Sequence, residues 1–136
     1  MSYLLDTNVI SETIKTRPNE NLAKWLDLAS VDSLFISVLT LGEIRKGIEK
    51  LKDSKKKTNL LLWLENDLND WFGTKVLAVD KAVADKWGFV CAQSKNSLPV
   101  VDSLIAATAI TNNLKLVTRN VKDFEQFKGL EVINPF

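Results

Sequence analysis

The sequence contains no histidine and only one cysteine, Cys91, among its 136 residues. Without histidine the chain cannot build a Ser-His-Asp triad, a Cys-His pair or an imidazole-ligated zinc site. A single cysteine cannot form an internal disulfide, and this is typical of proteins in a reducing compartment. Any catalytic chemistry must therefore use carboxylates, hydroxyls, amides, lysine, arginine or the one thiol.

Long apolar runs and a leader pattern are missing as well. The longest unbroken apolar run covers only residues 60–64, whereas about 20 residues are needed to span a bilayer. The first residues lack a basic flank followed by an apolar stretch, so no signal peptide is predicted. We therefore expect a cytoplasmic protein without membrane association.

Glycine and proline are scarce, with five and three residues, while 46% of the chain is hydrophobic. This composition predicts a single globular domain over residues 1–136. Short apolar runs predict strands at residues 3–5, 34–38, 76–79, 116–118 and 132–133. The segments between them predict helices, including one capped by Thr7 or Asn8 and one over residues 58–72. This alternation predicts an α/β fold with a mainly parallel sheet flanked by helices.

Four carboxylates fall at the ends of predicted strands or in the helices that follow: Asp6, Glu43, Asp102 and Asp123. Parallel sheets bind ligands in the crevice beyond the carboxyl ends of their strands. Unpaired carboxylates gathered there would repel one another. Mg²⁺ and Mn²⁺ prefer oxygen ligands and would relieve that repulsion. The pattern therefore predicts a divalent-cation site, of the kind that activates water against a phosphodiester.

Each of these acids also has a simpler explanation when it is considered alone. Asp6 and Asp123 could cap helices, and Asp102 could complement the dipole of the helix after Pro99. Glu43, next to two basic residues, could be a solvated surface charge. Four carboxylates at strand ends are harder to explain in this way, and the set together favours the metal site.

Four segments in order, residues 4–10, 37–43, 102–109 and 118–124, resemble PIN domains, and most closely the toxins of VapBC-type modules, including the FitB-like ones. The resemblance covers essentially the whole chain. It implies a three-layer PIN fold and a Mg²⁺- or Mn²⁺-dependent endoribonuclease, usually a homodimer. It also implies a cognate antitoxin that holds the enzyme inactive in a hetero-oligomer, with any operator DNA contact expected from the antitoxin.

Within this resemblance, Asp6, Glu43 and Asp102 match the acidic triad, and Asp123 matches a fourth, more variable acid. Asp6 and Asp102 are expected to hold the metal ion, while Glu43 and Asp123 complete its shell or orient the attacking water. The neighbours expected to orient carboxylates or bind water are Thr7, Asn8, Thr118 and Asn120.

Two surface features suggest contacts with other molecules. Residues 45–57 contain seven basic and two acidic side chains, which fits either a solvated helical tip or contact with an RNA backbone. Arg45 and Lys46, nearest Glu43, are the candidate RNA contacts. Leu62 and Trp63 fall beside the apolar stripe of their predicted helix, and they are candidates for contact with a second copy or with the antitoxin.

Three alternative functions remain open from the sequence. A phosphatase with Asp6 as nucleophile would need a second acid two positions later, where the chain has Asn8. A non-catalytic regulatory module could use the acidic cleft to bind a basic peptide from a partner. A nuclease acting on DNA would use the same carboxylates, because recognition of RNA requires contacts to the 2′-hydroxyl.

Overall fold

A five-stranded sheet forms the centre of the computed structural model, which describes residues 1–136. All neighbouring strands are parallel. Their order is β3-β2-β1-β4-β5, with β1 at Tyr3–Leu5, β2 at Leu34–Ser37, β3 at Val76–Leu77, β4 at Lys115–Val117 and β5 at Val132–Ile133. The predicted α/β class is confirmed, and the sheet is parallel throughout.

Eight α-helices connect the strands: α1 at Thr7–Thr13, α2 at Glu20–Leu28, α3 at Val38–Glu49, α4 at Lys55–Leu62, α5 at Leu68–Phe72, α6 at Lys81–Ala92, α7 at Val100–Thr111 and α8 at Val121–Phe124. A π-helical turn, Trp63–Asp67, joins α4 to α5, and short 3₁₀ turns lie at Val31–Ser33 and Gly73–Lys75. None of these helices has the length and apolar character needed to cross a membrane.

The helices cover both faces of the sheet because successive side chains on a strand point in opposite directions. Leu4 packs into the hydrophobic cluster that includes Ile105 and Phe124, from α7 and α8. Its neighbour Leu5 packs into the cluster on the other face, which includes Ile44 and Leu68 from α3 and α5. The result is the three-layer arrangement that the resemblance implied.

The register of the sheet brings three chain segments to one edge. Leu5 in β1 lies opposite Val117 in β4, and β2 pairs with the other side of β1. The Asp6 backbone N–H donates to the Val117 carbonyl at 2.9 Å, so the pairing extends one residue beyond β1. The chain builds β2 and β3 on one side of β1 and then returns to build β4 and β5 on the other. Such a switch point opens a crevice at the carboxyl ends of the strands.

Two predicted helix starts are corrected by the capping geometry. Asp6, rather than Thr7 or Asn8, caps α1, because its Oδ1 accepts the Thr7 N–H at 2.8 Å. The predicted helix over residues 58–72 begins three residues earlier, at Lys55, because the Ser54 hydroxyl accepts the Lys57 N–H at 3.1 Å. Both corrections follow from side chains that pair with orphaned N–H groups in the first helical turn.

The π-helical turn also divides the predicted helix over residues 58–72. Leu64, within this turn, and Leu68, directly after it, are both buried in the core. Trp63 packs against the same cluster. Leu62 remains 52% exposed. Of the two residues considered for contact with another protein, Leu62 is therefore exposed and Trp63 is half-buried.

Candidate functional site

The carboxylate of Asp6 lies at the centre of the crevice and is only 6% exposed. Its Oδ1 accepts the Thr7 N–H at 2.8 Å, and its Oδ2 accepts from the Thr118 hydroxyl at 2.8 Å and the Asn8 side-chain amide at 3.2 Å. These three hydrogen bonds fix the orientation of the carboxylate. A carboxylate offers about four acceptor positions, so one position on Oδ1 remains available to a further ligand.

The loop after β4 is held against the start of α1. The Thr118 hydroxyl accepts the Asn8 side-chain amide and the Asn120 backbone N–H, both at 3.0 Å. Asn8 Oδ1 in turn accepts the Arg119 N–H at 3.1 Å. Asn8 and Thr118 thus connect two segments that are 110 residues apart in the chain. Asn120 contributes its backbone N–H, and its side chain makes no hydrogen bond within the protein.

Glu43 reaches the same crevice from α3, which begins directly after β2. Its Oε1 accepts the Thr7 hydroxyl at 2.6 Å, and that hydroxyl oxygen lies 3.1 Å from the Thr40 hydroxyl oxygen. The Glu43 residue itself is exposed to solvent. Thr7 therefore ties the carboxylate of Glu43 to the residue that follows Asp6.

Asp102 and Asp123 approach from the other side of β1. Asp102 lies in the first turn of α7 and is half-buried, while Asp123 lies on α8 and is exposed. Neither carboxylate accepts a hydrogen bond or forms an ion pair within the protein. The half-buried carboxylate of Asp102 therefore has no donor within the protein, and its oxygens are free to accept from water or a ligand at the edge of the crevice.

Burial and neighbouring acids raise the pKa values of two of these acids, Asp6 and Asp102. Burial, with a smaller contribution from Asp102 and Glu43, raises the pKa of Asp6 to about 6 despite its hydrogen bonds from Thr118 and Thr7. Burial also raises the pKa of Asp102, with further contributions from Asp123 and Glu43. Asp102 and Glu43 therefore act on Asp6, and Asp123 and Glu43 act on Asp102, which connects the four acids electrostatically.

The donor chemistry of this cluster fits a hard divalent cation. No three acidic side chains are close enough to enclose an ion by themselves. Mg²⁺ does not need such a cage, because it commonly binds through one or two carboxylates and keeps several waters or substrate phosphates. The free position on Asp6 Oδ1 and the unpaired carboxylate of Asp102 are the ligands that the site offers.

The two candidate RNA contacts have different surroundings. Arg45 pairs with Glu65 at 3.0 Å and with Glu49 at 3.3 Å, so its guanidinium is already neutralised within the protein. Lys46 is exposed and forms no ion pair, and it lines a groove that also includes Glu43. Lys46 is therefore the better placed of the two to meet a phosphate.

Glu12 is a buried acid that the sequence analysis did not select, and it stabilises the loop beside the crevice. Glu12 on α1 is only 5% exposed. Its Oε1 lies 2.9 Å from both Lys15 Nζ and Arg119 Nη2, and its Oε2 accepts the Asn19 N–H at 3.0 Å. The hydrogen bond from Lys15, supported by Arg119, lowers the pKa of Glu12. Arg119 follows Thr118, so this pair anchors the loop that positions Asp6.

Lowering the pH from 7 to 5 should stabilise the protein in the absence of divalent cations. A carboxyl group whose folded-state pKa is raised binds its proton more tightly when folded, so the stability it confers is lost as pH rises from about 3.8 to about 6. For Asp6 the gain between pH 7 and 5 is about 1 kcal/mol, and Asp102 acts in the same direction. Glu12 opposes this only at lower pH, because its pKa is lowered.

Chemical denaturation in chelator at several pH values measures this effect. The Asp6→Asn variant should show a flatter pH dependence over the same range. A wild-type stability that falls from pH 7 to 5 would contradict the arrangement of repelling acids described above.

Comparison with known proteins confirms the resemblance predicted from the sequence. The chain matches the PIN domain family over residues 3–130. Toxin FitB from Neisseria gonorrhoeae is 35% identical over 136 residues, covering 98% of this chain and 97% of the relative. VapC ribonuclease Y4jK from Sinorhizobium fredii is 33% identical over 136 residues, covering 98% and 96%.

Solved structures agree with the sequence relatives. The crystal structure of FitAcB from Neisseria gonorrhoeae is similar, with a TM-score of 0.90, 34% identity and coverage of 98% of this chain and 97% of that chain. A structure of FitAB bound to an IR36 DNA fragment gives a TM-score of 0.88 at 32% identity, covering 98% and 94%. The similarity therefore extends over nearly the full length of each protein.

Proposed function

Because this chain belongs to the PIN domain family, we propose that it is a metal-dependent endoribonuclease and the toxin of a toxin–antitoxin module. The proposal treats residues 1–136 as a single PIN domain acting in the cytoplasm. It is supported by the full-length similarity to a protein named as a VapC ribonuclease and to another named as a toxin.

The observation that carries the enzymatic part is the unpaired carboxylate of Asp102 beside the buried carboxylate of Asp6. Burial raises the pKa of both carboxylates, with a contribution from Asp102 at Asp6 and from Glu43 at both, and no lysine or arginine neutralises either one. A purely structural cluster would gain stability from a basic partner. A site for Mg²⁺ or Mn²⁺ explains why acids that repel one another are gathered in this crevice.

In this proposal Asp6 and Asp102 hold the divalent cation, and Glu43 and Asp123 complete its shell or orient the attacking water. A bound cation would supply a water of lowered pKa and would neutralise charge on the scissile phosphate. Glu43 is suited to orienting water, because one of its oxygens is fixed by the Thr7 hydroxyl while the side chain stays exposed.

The hydrogen-bonding neighbours have positioning roles. Asn8 and Thr118 hold Oδ2 of Asp6, which leaves Oδ1 with its free acceptor position for the cation. Thr7 acts on both sides, because its backbone N–H donates to Asp6 and its hydroxyl donates to Glu43. Asn120 supports Thr118 through its backbone N–H.

The same family relationship supports a protein partner. Similar structures include VapBC from Salmonella typhimurium bound to DNA, with a TM-score of 0.84 at 27% identity. We infer that this chain also binds a cognate antitoxin, that operator DNA is contacted through that antitoxin, and that the assembly contains a homodimer of the toxin.

Cleavage of RNA by the purified chain in Mg²⁺ or Mn²⁺ tests the proposed function. Incubation with total cellular RNA and with matched single-stranded DNA should give discrete cleavage of RNA and none of DNA. Cleavage of the DNA would indicate that the protein is a deoxyribonuclease instead. Tight binding of a basic antitoxin peptide without any cleavage would favour the non-catalytic module instead.

A further inference from the structure

A groove of about 450 Å³ runs along α3 away from the acidic crevice. Glu43 lines the groove at the end nearest Asp6, so the groove is continuous with the proposed catalytic site. Its other lining residues include Val38, Val101 and two lysines, Lys46 and Lys50. A polymer bound at the acids would therefore extend into this groove.

The two lysines lie on the same face of α3 as Glu43. Lys46 and Lys50 follow Glu43 by three and seven residues, a spacing that places all three side chains along one side of a helix. The helical rise puts them about 4.5 and about 10.5 Å beyond Glu43 along the axis. They form a row of positive charge leading away from the acidic crevice.

These lysines are also free, unlike Arg45 and Lys57 of the same basic segment, which form ion pairs. Lys46 and Lys50 form no ion pair and donate no hydrogen bond within the protein, and both are exposed. Arg45 is paired with Glu49 and Glu65. Unpaired cations along a groove are suited to the backbone phosphates of a nucleic acid.

The groove also has apolar lining residues. Val38, at the start of α3, is 38% exposed, and Val101, on α7, is half-buried. Cations beside apolar side chains suit a single strand, whose phosphates and unstacked bases point in different directions. The groove contains no aromatic side chain on which to stack a base.

Two helical glycines, Gly42 and Gly47, also line the groove. A Cβ atom added at either position would meet no other atom within 4 Å. Alanine is more favourable than glycine inside a helix, so an alanine at either position would be accommodated. Its methyl group would project into the open space beside Glu43, Lys46 and Lys50.

We propose that this groove binds the single-stranded RNA flanking the scissile phosphodiester, with Lys46 and Lys50 each contacting one backbone phosphate. This inference rests on the proposed nuclease function and adds to it the path of the substrate strand. It assigns a substrate contact to Lys50, and it leaves Arg45 to the ion pairs that join α3 to the π-helical turn.

Binding of a fluorescein-labelled, mixed-sequence single-stranded RNA to the full chain tests this path. The Asp6→Asn background prevents cleavage, and fluorescence anisotropy is measured over a series of salt concentrations. The additional Lys46→Gln/Lys50→Gln change should weaken binding roughly tenfold and reduce the salt slope by about 1.4, because each lost phosphate contact on a single strand contributes about 0.7. The matched control, Lys55→Gln/Lys56→Gln, removes the same charge from α4 and should leave the slope nearly unchanged.

Gly47→Ala supplies a second variant that does not alter charge. It should raise the melting temperature by a few degrees and weaken RNA binding at the same time, because the added methyl group stabilises α3 and occupies space beside Lys46 and Lys50 that the bound strand would use. A stabilised variant with unchanged RNA affinity would show that the strand does not use this space.

These experiments distinguish failure of the groove proposal from failure of the nuclease proposal. If wild-type protein cleaves RNA, and the Lys46→Gln/Lys50→Gln variant keeps both its KM and its salt slope, the groove proposal is wrong and the nuclease proposal stands. If no RNA is cleaved but the lysine-dependent slope is present, the groove stands and the nuclease proposal is wrong. Binding of polyglutamate is measured in parallel. If the Lys46→Gln/Lys50→Gln variant loses polyglutamate binding but still binds RNA as wild type does, the groove binds an acidic protein segment and the RNA proposal is wrong.

Discussion

Replacing Asp6 with asparagine should reduce kcat for RNA cleavage by roughly 10³-fold or more. Losses of 10–100-fold are typical when only a supporting neighbour of a metal ligand is removed, and Asp6 is proposed to contact the ion itself. Asparagine has nearly the same shape and is an equally good helix cap, so α1 should still form. The change removes the charge that would hold the cation.

Two variants distinguish loss of chemistry from loss of structure. Asp32→Asn makes the same charge change before the start of β2, at the opposite edge of the sheet, and should retain full activity. Thr118→Val removes one hydrogen bond to Asp6 but keeps its carboxylate, so it should lose about 10–100-fold. Equal cleavage by wild-type and Asp6→Asn preparations would indicate a contaminating nuclease and would remove Asp6 from the proposed site.

Removing divalent cations should abolish cleavage completely, and adding Mg²⁺ or Mn²⁺ in excess of the chelator should restore it. The chain has no histidine to serve as a general base, and no lysine or arginine pairs with Asp6 or Asp102 to neutralise charge on the scissile phosphate. Without a cation, the acidic crevice would also repel the phosphate backbone. Activity that persists in chelator would contradict the proposed chemistry.

A thermal shift gives a readout of the same prediction that does not depend on turnover. A cation at 100 times its dissociation constant should stabilise the folded protein by about 2.7 kcal/mol, which is a rise of several degrees in melting temperature. Asp6→Asn should show a smaller shift, and Asp32→Asn should match the wild type. The same shift in Asp6→Asn would place the cation elsewhere on the protein.

The approximate positions of the strands could be predicted because short apolar runs end at polar residues in the sequence. The apolar run that stops at Asp6 predicted β1 at its observed position, and the strand predicted over residues 116–118 lies one residue earlier, at Lys115–Val117. The alternation with helices predicted a parallel sheet. Parallel strands place their carboxyl ends at one edge. The expectation that the four acids face one crevice therefore followed from chain order alone, without any side-chain geometry.

Helix starts and interruptions were predicted less accurately, because a cap depends on one side-chain rotamer. Asp6 caps α1 with the same carboxylate that is proposed to hold the cation, so its structural and proposed catalytic roles coexist. The π-helical turn at Trp63–Asp67 has no local signal in the sequence. Leu64, in this turn, and Leu68, directly after it, both pack into the core beside the sheet.

The sequence by itself determined the fold class, the family and the set of oxygen donors, because these depend on residue type, spacing and order. The tertiary structure alone decided which charges are paired. Glu12 neutralises Arg119 across 107 residues, and Glu65 occupies Arg45 while Lys46 stays free. Asp102 is left without a donor. These ion pairs and hydrogen bonds depend on which side chains come into contact after the sheet and helices have packed. The local sequence pattern does not determine those contacts.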